Sequence, residues 1–437
     1  MLKKHALDPI KLIWLFAGSL IINTGVSFIW PLTTIYIHNY LHETLTIAGI
    51  VLFINSAFTM VGNALGGFLF DKWHPYQTLL TGVSISTLST FLLVLFHGWP
   101  AYPILLITLG LGNGIVVTGL NSIATLIRSR NASYVFNVLY FTQNLGLVFG
   151  SLMVGFILPF GITYIFLLAF IMFAFLSLVV FLEYRGLNQA HAAKGKKVAE
   201  SEYQEQIPYG AKKAIFSILI CVLAAWIAYE QWNSNISSYM LGLHMSVRLY
   251  SLLWTLNAVL IVLIQPLLTY FDDWLTQHLH GRLYIGFSLF GLAFLLLIGA
   301  NHYFSFVLAM AVLTCGEILA FPAVSTFVND RASNKDKGKY QGIVQSITSA
   351  GRALGPLIGA LVIDNFSYLV LFIFCTILVL ISVLLFALIN AYNKKSLIPP
   401  TSESGSHSVR YRYSDQIKSY VFATVENALC YNGTGKY

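Results

Sequence analysis

Three ionisable residues stand where such residues are rare: Glu230, Glu317 and Arg352 each lie inside a long apolar run of this 437-residue chain. A charge at bilayer depth costs ~2.5–3.5 kcal/mol even on the lenient insertion scale, so each needs a partner or a wet cavity. A carboxyl group removed from water also exchanges protons closer to neutral pH, which is the property a proton-coupled carrier requires. Glu317 and Arg352 each fall about twelve residues from the cytoplasmic end of their predicted helix, hence ~18 Å deep at 1.5 Å per residue. Two readings of Glu317 are open. In one it forms a salt bridge with Arg352 that merely joins two helices; in the other, protonation of Glu317 also breaks the pair and shifts an inward–outward equilibrium. Glu230 either attracts a proton or a cationic substrate, or reaches water at an outer cavity mouth. Arg352 could instead bind an anionic substrate.

Amides supply a second group of candidates. Asn23, Asn55, Asn113, Asn121, Gln143, Asn144, Gln231, Asn233 and Asn257 all fall within predicted spans. Hydrogen bonds between helices, at most ~1–2 kcal/mol each, account for most of them, and the remainder would line a cavity. The substrate-binding set expected here is Asn23, Trp30, Gln143, Asn144, Tyr229, Gln231, Asn233 and Asn257. Its aromatic members, with Tyr36, Tyr140 and Trp232, could stack on flat or cationic ligands or simply pack against lipid and core. Asp71, at the end of the second predicted helix, is either an inner-gate residue that engages the start of the eleventh helix in one state, or a solvated loop aspartate. Gly67, Gly351, Gly355 and Gly359 read as close-packing positions, which a sliding gate also needs.

Other chemistries lack their signatures. There is no phosphate-cradling GxxxxGK[ST], which argues against ATP as the energy source, and no HExxH or Ser/His/Asp arrangement. Cys221, Cys315 and Cys375 lie in apolar runs and Cys430 in a polar tail, without metal-ligand spacing.

The elements that carry these residues follow from composition. The chain is 57% hydrophobic and 10% charged, against about 25% charged in soluble domains. That excludes a water-soluble enzyme and a nucleic-acid-binding domain. Apolar runs broken by short polar joints predict helices at 12–37, 46–70, 77–96, 103–127, 135–159, 162–184, 213–237, 249–270, 283–300, 304–328, 341–364 and 368–392. The first run is too long for a signal-peptide core and reads as a retained span. Alternate joints collect Lys72, Arg128, Arg130, Arg185, Lys194, Lys196, Lys197, Lys212, Lys213, Arg282, Arg331, Lys335, Lys337 and Lys339, whereas the other set holds only Arg248. Both termini are therefore predicted to be cytoplasmic.

The chain also repeats itself. Phe70-Asp71-Lys72-Trp73 returns as Phe271-Asp272-Asp273-Trp274, and Gly146 and Gly150 return as Gly351 and Gly355. Parallel repeats of this kind place a substrate cavity between two halves near the bilayer midplane. The predicted organisation is an all-α integral membrane protein with an N-terminal six-helix bundle (1–184), a linker (185–212), a C-terminal six-helix bundle (213–393) and a polar tail (394–437).

Duplicated six-helix halves joined by a basic linker resemble the major facilitator superfamily of secondary transporters. Several motifs are similar to drug:proton antiporters of the LmrP type: Thr314-Cys315-Gly316-Glu317-Ile318 with Pro322, Lys337-Gly338-Lys339-Tyr340-Gln341-Gly342, and Gln143-Asn144-Leu145. Tyr229-Glu230-Gln231 and Asn257 through Gln265-Pro266 are similar to bacterial exporters of the same group. There are departures. His74-Pro75-Tyr76 replaces the usual end of the loop 2–3 motif, Gly146-Leu147-Val148-Phe149-Gly150 lacks the antiporter proline, and two family carboxylates align with Leu139 and Asn233. The resemblance implies proton-coupled efflux of small amphipathic compounds by alternating access. Glu317, Glu230 and Arg352 would couple protons, and Asp71, Gly67, Gly351 and Gly355 would serve the gate. It implies no cofactor beyond the proton gradient, a small-molecule substrate, protons and the lipid bilayer as partners, no nucleic acid, a monomer and a plasma-membrane location. The alternatives on the same fold are a carrier for a sugar, amino acid or other metabolite, or a lipid flippase; a membrane sensor without flux is a third.

Overall fold

A backbone surrounded by hydrocarbon must satisfy its polar groups internally, and this sequence does so with helices. The computed structural model describes residues 8–188 and 208–396. Most of the expected linker and nearly all of the expected tail lie outside those residues. Among the described residues there is no strand, and twelve helices are long and apolar enough to cross a membrane. They are α1 (Leu12–Ile29), α2 (Leu45–Lys72), α3 (Pro75–Leu95), α4 (Ala101–Ala124), α5 (Ala132–Ile157), α6 (Ile162–Glu183), α7 (Tyr209–Ser234), α8 (Val247–Tyr270), α9 (Leu279–Leu297), α10 (Tyr303–Arg331), α11 (Lys337–Asn365) and α12 (Tyr368–Ser396). Local chemistry sets several starts. The Thr44 hydroxyl accepts from the Ile47 N–H at the head of α2, and Pro75 opens α3. The described residues up to Asn390 make one compact unit.

Within this unit, α1 to α6 bury one hydrophobic core, built around Leu15, Phe136, Phe166 and Phe173. A second core around Trp232, Phe287, Phe290 and Phe327 belongs to α7 to α12. The two halves pack alike: α1 lies on α5 as α7 lies on α11, and α2 lies on α4 as α8 lies on α10. The seam between the halves runs where α2 and α4 meet α11, and where α5 meets α8 and α10. Gly67 makes the α2–α11 crossing possible, since a Cβ there would lie 2.5 Å from the Gly338 carbonyl oxygen.

Among the differences from the expected bounds, two bear on the site. The first helix does not continue to 37; it ends at Ile29 and passes through a 3-10 turn at Trp30–Leu32 into a π-helical segment at Tyr36–Tyr40. The ninth begins at Leu279 rather than 283, which brings Arg282 into its first turn. Arg282 is only 4% exposed, so it is a buried side chain and not a loop charge.

Candidate functional site

The α5 sequence places Ser133, Asn137, Tyr140 and Asn144 at spacings of four, three and four, a single helical stripe. That stripe faces the other half. The Tyr140 hydroxyl donates to Glu317 Oε1 at 2.6 Å, a hydrogen bond that crosses the seam. The Tyr229 hydroxyl from α7 donates to the same oxygen at 3.4 Å, and the Asn257 amide from α8 donates to Oε2 at 2.9 Å. Asn257 also donates to Thr314 Oγ1, one turn before Glu317 on α10. Glu317 is 3% exposed, so a carboxylate away from water is held by three neutral donors from α5, α7 and α8. Both acceptor positions of Oε1 are taken, so a proton there would force the Tyr140 or Tyr229 hydroxyl to turn. A proton on Oε2 could use the position Asn257 leaves free, and would act by removing the charge that strengthens the Tyr140 bridge.

The expected Glu317–Arg352 salt bridge is not formed. Arg352 places its guanidinium 4.1 Å from the centre of the Trp226 ring on α7, while Glu317 is satisfied elsewhere. The reason lies in packing: α11 runs chiefly along α2 and α7, and much less along α10. Arg352 remains the cation whose charge acts on both Glu230 and Glu317. Glu230 is buried near the end of α7 and accepts from Asn233 at 3.1 Å. Gly351 and Gly355 bring α11 against α7 at this point, because Cβ atoms on them would lie 2.5 Å from Trp226 Cβ and 2.7 Å from Glu230 Cβ.

Other members of the expected set fall in different places. Gln231 is fully buried; it donates to the Gly355 and Ile227 carbonyls and accepts from Asn235, which makes it a clamp between α7 and α11. Asn23 donates to Ser19 in its own helix, and Asn144 donates to the Tyr140 carbonyl. Trp30 is exposed just past α1. Gln143 is half-buried and has no hydrogen-bond partner among the described residues.

Nearer the joints rich in Lys and Arg, two carboxylates latch the halves together. Asp71 at the end of α2 accepts from the Gly338 and Lys339 N–H groups at 3.0 and 2.6 Å, so it caps the N-terminus of α11. Asp272, its repeat partner, engages the N-terminus of α5 through the Ser133 side chain and the Tyr134 N–H, and accepts from Asn137 at 3.3 Å. Burial holds the Asp272 carboxyl above the usual aspartate range, although those hydrogen bonds and the Arg282 charge oppose the shift.

Arg282 completes this second latch. It donates to Asn137 Oδ1 at 2.7 Å and to the Leu319 carbonyl at 2.8 Å, with a longer contact to the Ile318 carbonyl. Pro322 has no N–H to offer Ile318 four residues earlier, so α10 leaves that carbonyl available. Gln265 adds two bonds to Asn137 at 3.3 Å. Arg282 and Asn137 were not singled out from the sequence. The signal that could have found them is the four-residue spacing of Ser133 and Asn137 opposite the repeated Phe-Asp motif.

These seam contacts run from the basic joints to mid-helix, where Asn63 donates to Ser349 at 3.0 Å. The sequence profile of the Major Facilitator Superfamily matches residues 15–283 and 274–424. The chain belongs to the major facilitator superfamily. The uncharacterized MFS-type transporter YttB of Bacillus subtilis (strain 168) is 37% identical to it over 375 residues, 84% of this chain and 92% of that protein. YqjV of the same organism, also an uncharacterized MFS-type transporter, is 22% identical over 386 residues, 84% of this chain and 89% of its own. The fold is shared with the human organic anion transporter MFSD10 (TM-score 0.70, 15% identity, 86% of this chain and 98% of that one). It is also shared with a bacterial homologue of the iron transporter ferroportin in its outward-facing state (TM-score 0.68, 13% identity, 87% and 99%). This superfamily member is therefore a multi-pass membrane transporter of small molecules, with Glu317 at the junction of its two halves.

Proposed function

We propose that the protein is a proton-coupled exporter of small amphipathic compounds that works by alternating access. The observation that carries this reading is the hydrogen bond from Tyr140 to Glu317, the contact through which a buried acid of one half holds the other half. With Glu317 ionised, three donors fit its lone pairs and the seam stays joined towards the cytoplasm. With Glu317 protonated, the carboxyl group brings its own O–H, and the closed arrangement loses part of its advantage. Substrate and proton then exchange through opposite states of one site. Arg352 and Glu230 set the field around that site, and the Asp71 and Asp272 latches open when the halves rock. Both termini face the cytoplasm of a plasma-membrane protein on this reading, and no cofactor besides the proton gradient is needed.

Proteoliposomes carrying a pH-sensitive dye test it. Adding an exported compound should move protons in the direction opposite to the compound, and Glu317→Gln should abolish that movement while leaving the protein folded. Flux that continues at the same rate with the same proton movement in the Glu317→Gln protein would remove Glu317 from the mechanism.

A further inference from the structure

The charges around the seam are not equally available. Glu317 is enclosed by Tyr140, Tyr229 and Asn257. Glu230 is buried and bonded by Asn233, and Arg282 spends its donors on Asn137 and two α10 carbonyls. Arg352 differs on each count. It is exposed, and among the described residues no acceptor hydrogen-bonds its guanidinium. A planar group with five N–H donors is thus held only by its ring contact with Trp226.

Its direction is fixed by the helix that carries it. Leu354, Leu357 and Leu361 form the exposed apolar face of α11. At ~100° per residue, Arg352 lies about half a turn away from that face. It sits between the side that packs on α7 through Gly351 and Gly355 and the side that meets α2 through Gly342 and Ser349. Its exposure is therefore towards the space between the halves, not towards lipid. Beside it, Trp226 stacks face to face with Phe321, ring centres 4.8 Å apart and planes 4° from parallel, which puts an aromatic stack next to an unpaired guanidinium.

We infer that the compound carried is an anion with a flat apolar body, bound by Arg352 through its charged group and by Trp226 and Phe321 through its rings. A cation entering the same space meets an exposed like charge, whereas the two acids that would attract it are both buried and already hydrogen-bonded. A carboxylate or sulfonate matches the guanidinium fork in two parallel hydrogen bonds. This inference rests on the seam being the transport pathway and narrows its substrate class.

The test is equilibrium binding to the full chain in nanodiscs of zwitterionic lipid, without any gradient. Two probes of one ring system are compared: 2-naphthalenesulfonate and N,N,N-trimethyl-2-naphthylammonium, followed by quenching of tryptophan fluorescence. The sulfonate should bind at least tenfold more tightly than the ammonium. Arg352→Gln should erase that preference, and Arg352→Lys should keep part of it. A tighter ammonium, binding of neither probe, or an unchanged preference in a folded Arg352→Gln protein would overturn the inference. Because no flux is measured, a sulfonate preference can stand even if proton coupling through Glu317 fails, and proton coupling can stand if the preference fails.

Discussion

Asp71 and Asp272 occupy repeated positions and close the same face of the protein, yet they do so with different chemistry. Asp71 is half-buried and accepts from two backbone N–H groups, those of Gly338 and Lys339 at the head of α11. A carboxylate on a helix N-terminus near water is a contact of ordinary strength. Asp272 is 5% exposed and has Ser133, Tyr134, Asn137 and the Arg282 charge around it. Burial made the second latch depend on further polar partners, and those partners extend it. Through Arg282 it reaches the carbonyls of Ile318 and Leu319, the two residues that follow Glu317. The duplication therefore supplied two latches, of which one is wired to the acid at the seam and the other is a clasp near the surface.

That difference sets the order of expected effects. Arg282→Ala should have the largest, because it strips a buried aspartate of its countercharge and removes the donor that faces the Ile318 carbonyl freed by Pro322; a cost of about 3 kcal/mol is expected. Thermal melting of the purified protein should show it, together with labelling of a Ser133→Cys reporter from the side of the basic joints. Adding Asp272→Asn to Arg282→Ala should recover part of the loss. Tyr140→Phe comes next. It deletes a hydrogen bond to a charged group that spans the halves, worth about 1.5–3 kcal/mol, and should raise reporter labelling by one to two orders of magnitude. Tyr229→Phe should do less, since its contact is longer at 3.4 Å and stays within one half. Asp71→Ala should have the smallest effect, near ~1 kcal/mol and a few-fold in labelling, as for other exposed helix-terminus charges. If Asp71→Ala opened the face more than Arg282→Ala, the contrast between the latches would be wrong.

How far the sequence foretold this varies by element. Spans were legible because hydrocarbon demands long apolar helices, and the structure has helices at all twelve places. The repeat at Asp71 and Asp272 was also visible as a string of residues. Pairings were not. Glu317 and Arg352 look matched by depth and sign, but depth along two helices does not say which way either side chain turns; α11 turns Arg352 onto Trp226. Tyr140 could be read only as one aromatic among many until α5 was seen to aim it at α10. Arg282 was hidden by a boundary error of four residues, which made a buried donor look like a joint charge. Gln231 shows the reverse: an amide at span depth whose every bond turns out to serve α7 and α11.

In the proposed mechanism the charge state of Glu317 decides whether Tyr140 holds the halves together. Spin labels on α5 and α10, placed on the side of the basic joints, would report the distance between halves by pulsed electron resonance as pH is varied. The native chain should move from a short to a long distance as the pH falls, and Glu317→Gln, which lacks the titrating charge, should show one pH-independent distribution. An identical pH response in both proteins would contradict the account.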